Sequence, residues 1–254
     1  MSKEFELKLV EPDFGSNLTK LILELDHLRK KKLGGSTHPQ VFFQLKHIFH
    51  TLESIGSAGI EGNNTTIAEY IETKLEEGES PKGQGIIEIQ NIEKAMAFIE
   101  ANVEEYNINR IFVSEMHKQI VDGLTPPPYG EGDHSPGYFR ETNVKIVKLD
   151  HLPPEWSRIN EFMNELFDFI SKEDEPQYDL LKVAIAHHRF VWVHPFGNGN
   201  GRTVRLFTYA MLVKLGFNVN VGRILNPTAV FCSNRDDYYK YLSAADNWSN
   251  FRYC

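Results

Sequence analysis

The segment His194-Pro195-Phe196-Gly197-Asn198-Gly199-Asn200-Gly201-Arg202-Thr203-Val204-Arg205 separates two stretches of helical patterning and constrains the fold more than any other part of the chain. Glycines at 197, 199 and 201 are unfavourable inside a helix and useful in a loop, because they allow positive φ and close approach to the backbone. A loop of this kind running straight into a helix turns successive N–H groups and the positive helix end toward one point, which suits an anion. Arg202 and Arg205, three apart on the helix that follows, can face the same way as planar forks for phosphate oxygens. Val204, Phe207 and Met211 are then left for the opposite, buried face. His194 stands at the entrance, and an imidazole of ordinary pKa suits proton abstraction near neutral pH. Each part alone has an ordinary reading, as a turn histidine or a polar loop. Their combination reads as a polyphosphate cradle with a base beside it.

Elsewhere, apolar spacings of three and four predict helices. Ile89, Ile92, Met96 and Ile99 share one face, as do Ile159, Phe162, Leu166 and Phe169. Helices are also expected over Leu18–Leu33, Phe42–Ile60, Ile67–Leu75, Phe112–Val121, Leu180–Val193, Thr203–Leu215 and Asp236–Asp246. Gly78 to Gly85 reads as a loop, and Pro126-Pro127-Pro128 with Gly130, Gly132, Pro136 and Gly137 forbids regular structure. Asn143 to Leu149 alternates loosely enough for a short strand or hairpin arm. The chain is therefore expected to be mainly α.

The function classes excluded by composition are few but useful. Lys+Arg of 27 against Asp+Glu of 35 gives a net charge of -8, so no overall positive field draws the chain to nucleic acid or anionic lipid. Cys232 and Cys254 are too few for a disulfide framework or a cysteine-bound metal, which fits a reducing compartment. Met1 to Val10 lacks a signal-like apolar core and no stretch approaches a membrane span, so the chain is read as cytoplasmic.

The 194–205 segment resembles the signature of the Fic family, His-x-Phe-x-(Asp or Glu)-Gly-Asn-Gly-Arg-x-x-Arg, and departs from it at the acidic position, which is Asn198. His187, seven residues earlier in an apolar run, resembles the family's preceding helix. The resemblance implies a Fic-type helical bundle with a small β-hairpin flap, and a protein adenylyltransferase that moves AMP from ATP onto a Ser, Thr or Tyr hydroxyl. It implies that His194 is the base, that Phe196 anchors the loop, and that Gly197, Asn198, Gly199, Asn200, Gly201, Arg202 and Arg205 surround the phosphates. Asn198 would be the protein's ligand for Mg²⁺ or Mn²⁺, weaker than a carboxylate because its carbonyl oxygen is neutral. Transfer of UMP, phosphate or phosphocholine, or an ATP-binding regulator with impaired chemistry, stands as the alternative.

Upstream, Ser57-Ala58-Gly59-Ile60-Glu61-Gly62 resembles the family's inhibitory motif. Ser57 and Glu61 are four apart and share a helix face, so Glu61 is expected to pair with Arg205 in the place of the γ-phosphate, unless it is a surface glutamate at a helix end. The expected division is an N-terminal helical region, 1–62, carrying this helix and a catalytic domain, 63–254. Residues 137–149 resemble the flap that docks a protein target, this chain itself among the candidates, by strand addition. Asn234, Tyr238, Tyr239 and Leu242 resemble the base-contacting helix, with Tyr238 and Tyr239 against adenine. Fic relatives often self-associate, so a homo-oligomer is also considered.

Overall fold

The spacing of three and four is realised as packed helices in a computed structural model that describes residues 7–30, 39–75, 83–146, 151–217 and 227–246. In chain order these are α1 (Asn17–Lys30), α2 (Pro39–Glu61), α3 (Ile67–Leu75), α4 (Gln84–Asn102), α5 (Arg110–Val121), α6 (Ile159–Ser171), α7 (Asp179–Val193), α8 (Asn200–Lys214), α9 (Pro227–Ser233) and α10 (Arg235–Asp246). Local chemistry sets several ends. Pro39 opens α2, where its missing N–H costs nothing. Asn109 caps α5 by accepting from the Phe112 N–H at 3.1 Å. Thr66 and Glu69 form a reciprocal capping box at the start of α3, each accepting from the other's backbone N–H.

Helix α4 forms the middle of the core: Ile89, Ile92, Ala95 and Ile99 have no exposed surface, and α2, α5 and α8 pack around it. Helix α7 pairs with α8 on one side and α6 on the other, while α9 lies on α2 and α8. Helix α8 is buried on nearly every face from Arg202 to Val213, which is why its apolar pattern is weakly one-sided. The functional loop thus leads into the most enclosed helix of the bundle.

The differences from expectation are local. Helix α8 starts at Asn200, so Asn200, Gly201 and Arg202 belong to its first turn and the loop ends at Gly199. The glycine content hid this start; Gly199 takes the left-handed conformation, φ 72°, that lets the chain turn into the helix. Helix α4 begins within the expected Gly78–Gly85 loop, of which 78–82 lie outside the described residues, as do 31–33 of the first helix. Helix α9 was not expected, being a single short element opened by Pro227. No strand is formed among the described residues: Asn143 to Ile146 is irregular, and 147–149 of the expected flap lie outside them. Among the described residues no helix is long and apolar enough to cross a membrane.

The central position of α4 yields a stability contrast. Ile92→Ala should cost about 2–5 kcal/mol, because a fully enclosed side chain leaves a cavity that the bundle cannot collapse. Ile71→Ala, at 46% exposure on α3, should change stability by no more than about 0.5 kcal/mol. Urea unfolding midpoints of the two variants compare them directly; equal shifts would contradict the assignment of α4 to the core.

Candidate active site

Phe196 carries no exposed surface and fixes the loop from below. Its ring lies parallel to the His117 imidazole with centroids 3.7 Å apart, and Phe139 and Phe190 close the remaining sides. Asn200 folds back on the same residue: its Oδ1 accepts from the Phe196 N–H at 2.9 Å and its Nδ2 donates to the Phe196 carbonyl at 2.8 Å. The Asn200 side chain is therefore spent on closing the loop, and what it offers an anion is the backbone of the α8 first turn. The amides of that turn have no carbonyl one turn behind them, which makes them donors by position.

A second segment, 130–137, clasps the loop from outside. The buried Asp133 carboxylate accepts from the Asn198 N–H at 2.7 Å and the Ser135 N–H at 2.8 Å. Asn198 also donates its side-chain Nδ2 to the Gly132 carbonyl at 3.0 Å. His117, fully buried, accepts at Nδ1 from the Gly137 N–H and therefore carries its proton on Nε2, which faces the Asn198 carbonyl at 3.0 Å. Burial holds this imidazole down at about 4, so it is neutral and acts as a spacer between α5 and the loop.

His194 follows the last turn of α7 in the left-handed conformation, φ 52° and ψ 62°, with its N–H on the Phe190 carbonyl. Its Nδ1 is buried and lacks a hydrogen-bond partner of good geometry. Burial pushes the imidazole down to about 4; the Val191 carbonyl and Glu61 pull against that, and Arg140 and His151 reinforce it. The ring is neutral near pH 7 and ready to accept.

The two arginines of the motif do not share a partner. Arg202, with no exposed surface, turns to Glu88 of α4 at 2.9 Å and to Glu131 at 3.5 Å, and it donates to the Glu131 carbonyl. Asn63, just past α2, donates to the other oxygen of Glu88 at 2.7 Å. Burial raises the Glu88 carboxyl, and Arg202 is the main influence holding it down. Arg205 instead faces α2: Nε donates to Ser57 Oγ at 2.8 Å, and Nη2 donates to the Ser57 carbonyl and to Glu61 Oε1, each at 2.9 Å. The Glu61 carboxylate lies so close to Gly201 that a Cβ there would collide with Oε1. Ser57 and Glu61 thus meet Arg205 and the first turn of α8.

Glu61, His194, Gly201, Arg205, Tyr238 and Tyr239 border one cavity of about 80 Å³. This is far below the several hundred Å³ of a site that holds a nucleotide-sized ligand, and the Glu61 carboxylate is one of the groups filling it. Tyr238 enters by its ring and anchors by its hydroxyl, 2.9 Å from His187 Nε2. Thr208 Oγ1 donates to the Val204 carbonyl, so it accepts from His187 Nδ1 at 2.7 Å and leaves Nε2 to accept from Tyr238. Tyr239 stands beside Tyr238 with ring centroids 5.2 Å apart. Among the described residues no group of His, Cys, Asp or Glu side chains is arranged to hold a metal by itself.

Sequence reasoning brought His194, Arg205, Ser57, Glu61, Gly201 and the tyrosines to one place, but it missed His117, Asp133, Glu88 and Asn63 and read Arg140 only as part of a flap. A signal existed for His117, a polar residue on the apolar face of Val113, Met116, Ile120 and Val121. None existed for Asp133 or Glu88, whose partners are remote in the chain.

Residues 107–212 match the model of the Fic/DOC family. The protein adenylyltransferase Fic of Nematostella vectensis is 29% identical over 219 residues, which cover 82% of this chain and 44% of the relative. That of Culex quinquefasciatus is 29% identical over 209 residues, 80% of this chain and 37% of the relative. The chain thus spans less than half the length of these curated relatives. Among solved structures, a Fic family protein from Desulfovibrio desulfuricans G20 superposes with a TM-score of 0.71 at 21% identity, over 96% of this chain and 70% of that one. Fic-1 from C. elegans superposes with a TM-score of 0.63 at 19% identity, over 92% and 71%. The family match at residues 107–212, the motif at 194–205 and the shared helical fold agree in likening this chain to the Fic/DOC family.

Proposed function

We propose that this chain transfers AMP from ATP to a hydroxyl of a protein, and that Glu61 holds the site closed. The observation that carries the reading is the Arg205–Glu61 ion pair, 2.9 Å, inside a cavity that also contains His194 and the first turn of α8. An anion already occupies the place where a guanidinium and a helix N-terminus converge. ATP would compete for that place with its terminal phosphates. In the reaction, the target hydroxyl oxygen attacks the α-phosphorus as His194 Nε2 takes its proton. A new P–O bond forms, the bond from the α-phosphorus to the bridging oxygen breaks, and pyrophosphate leaves. The residues contribute position and electrostatics, with no covalent enzyme intermediate.

Asn198 would hold Mg²⁺ or Mn²⁺, which when bound would supply neutralisation of the phosphate charge. Asn198 fits the part of a single weak ligand: its Nδ2 is committed to the Gly132 carbonyl, leaving Oδ1 as the acceptor, and it is partly exposed at the loop. The neutrality of Asn198 favours a second reading, a nucleotide-binding regulator with slow chemistry. In both readings residues 1–62 supply the inhibitory helix, 63–254 the catalytic part, and the segment 137–149 the surface for an extended target, of which a second copy of this chain is one. The paucity of cysteine favours action in the cytoplasm.

Intact-mass spectrometry after incubation with ATP and Mg²⁺, then Mn²⁺, checks the proposal. Glu61→Gly should raise AMP transfer by roughly 100-fold, the usual cost of a misplaced reacting group. Glu61→Gly/His194→Ala should lose it by roughly 100-fold or more. Tight ATP binding without label on the chain or on lysate proteins would select the regulator instead. Asn198→Asp should lower the Mg²⁺ needed for half-maximal transfer, by roughly tenfold.

The depressed value of His194 fixes the sign of the pH dependence. The base form of the free protein persists down to about 4, so kcat/KM for transfer by Glu61→Gly should show no His194-linked acid limb from about pH 8 to about pH 5. Removing Glu61 takes away a group that holds the value up, which moves the limb further down. A rate profile bending near pH 6.5, the ordinary histidine value, would contradict this environment for His194.

A further inference from the structure

Arg140 follows the 130–137 clasp and is 5% exposed. Its guanidinium is shared among carbonyls drawn from separate parts of the chain. Nε donates to the His194 carbonyl at 2.8 Å and Nη1 to that of Thr142 at 2.7 Å. Nη2 donates to the carbonyls of Pro154 at 2.7 Å and Val193 at 3.3 Å. Its own N–H donates to the Pro195 carbonyl at 2.8 Å. Val193 and His194 end α7, where carbonyls have no helical N–H to pair with and the helix presents its negative pole. A cation with several fixed donors answers both needs at once.

We propose that Arg140 is a positioning residue for the transfer reaction: by gripping the Val193, His194 and Pro195 carbonyls it holds His194 in its left-handed conformation, aims the imidazole at the cavity, and joins it to the root of the 137–149 segment. The inference rests on the adenylyl-transfer reading for its kinetic consequence alone. A side chain other than glycine is rarely stable at φ 52° without restraint from its surroundings. The Phe190 carbonyl fixes the His194 N–H and Arg140 fixes its carbonyl, so both sides of the residue are defined. Phe139, the preceding residue, packs its ring edge-on against Phe196 at 5.5 Å, so consecutive residues of one segment brace the base and the loop anchor. Lysine would not substitute, because three donors on one point cannot reach carbonyls arranged around a planar fork.

Among the described residues, the charged and titratable groups that act most on His194 are Arg140, Glu61 and His151. Of these Arg140 is a buried cation, and it opposes protonation of the imidazole, so its loss should let the His194 value rise. This separates positioning from mere support of the fold, since a loss of folded protein lowers the active concentration and leaves the pKa in place.

The experiment compares Glu61→Gly with Glu61→Gly/Arg140→Lys and Glu61→Gly/Arg140→Gln. Arg140→Lys should cut kcat roughly ten- to a hundredfold while the KM for ATP stays within about twofold, because the base moves and the phosphate site does not. Arg140→Gln should do the same and raise the His194 pKa toward its ordinary value, followed by NMR titration of the labelled imidazole. If the Glu61→Gly parent transfers no AMP, the adenylyl-transfer reading fails, and the NMR titration still decides the role of Arg140. Folded variants with unchanged His194 titration and unchanged kcat would overturn the proposal. Should the variants not fold, the unmutated protein decides: the Arg140 Nε–H must exchange slowly with water, and fast exchange overturns the bond to His194.

Discussion

The bundle is organised around the need to neutralise two guanidinium groups buried on one helix. Arg202 and Arg205 of α8 are 0% and 1% exposed, and neither can remain there without an anion. Removing the partner of such a charge costs about 3–5 kcal/mol, more than most single contacts in a domain contribute. The two are supplied differently. Arg202 takes Glu88 from α4, a helix whose own side chains are core, so both members of that pair are buried. Arg205 takes Glu61 from the last residue of α2, where the chain turns away at Gly62 with φ 116° and the carboxylate keeps 20% of its surface. One anion is built in and the other stands at the edge of the fold.

That asymmetry would let Glu61 act as the proposed brake without rebuilding the site. A phosphate entering the cavity would relieve Arg205 of the need for Glu61, so exchange of one anion for another leaves the buried cation compensated throughout. Gly201 makes the exchange geometrically available, since any side chain there would meet Oε1 of Glu61 and would meet a phosphate in the same place. Ser57 holds Arg205 by its hydroxyl and its carbonyl, two bonds that do not involve Glu61 and so would keep the guanidinium aimed if its anionic partner changed. The Asn63–Glu88 bond, in turn, keeps the end of α2 close to α4, so release of Glu61 need not displace the helix.

How much of this is legible in the sequence depends on how local its cause is. The one-faced helix α6 follows from periodicity, as does the stripe Ile89, Ile92, Met96 and Ile99 on α4, and the capping pair Thr66 and Glu69 lies three residues apart. The pairing of Arg205 with Glu61 was legible too, although the residues are 144 apart, because the motif around each was recognisable as a pattern. What stayed hidden is the meaning of residues whose partners come from elsewhere. Arg202 lies three from Arg205 and reads as its twin, yet rotation around a fully buried helix sends it to Glu88 instead. Asn200 reads as a phosphate ligand, yet its side chain closes the loop on Phe196. The turn into α8 reads as loop because glycine lowers helix propensity, and tertiary burial of the helix overrides that cost.

Asn198 shows how such remote contacts change the meaning of a single departure from a motif. Judged as a metal ligand it is a loss, a neutral oxygen in place of a charged one. Its surroundings give another account. The Asn198 N–H is bound to the Asp133 carboxylate, its carbonyl faces His117 Nε2, and its side-chain Nδ2 donates to the Gly132 carbonyl. A carboxylate at 198 has no donor for Gly132 and adds a second negative charge beside Asp133, so the clasp would lose a bond and acquire repulsion. The amide therefore strengthens the order of the loop at the expense of its attraction for a cation. Loop order in turn fixes the α8 first turn, where Gly201 and Arg205 meet the Glu61 carboxylate, so on the proposed reading the amide would offset a weaker hold on a cation by a better-ordered backbone for the phosphates.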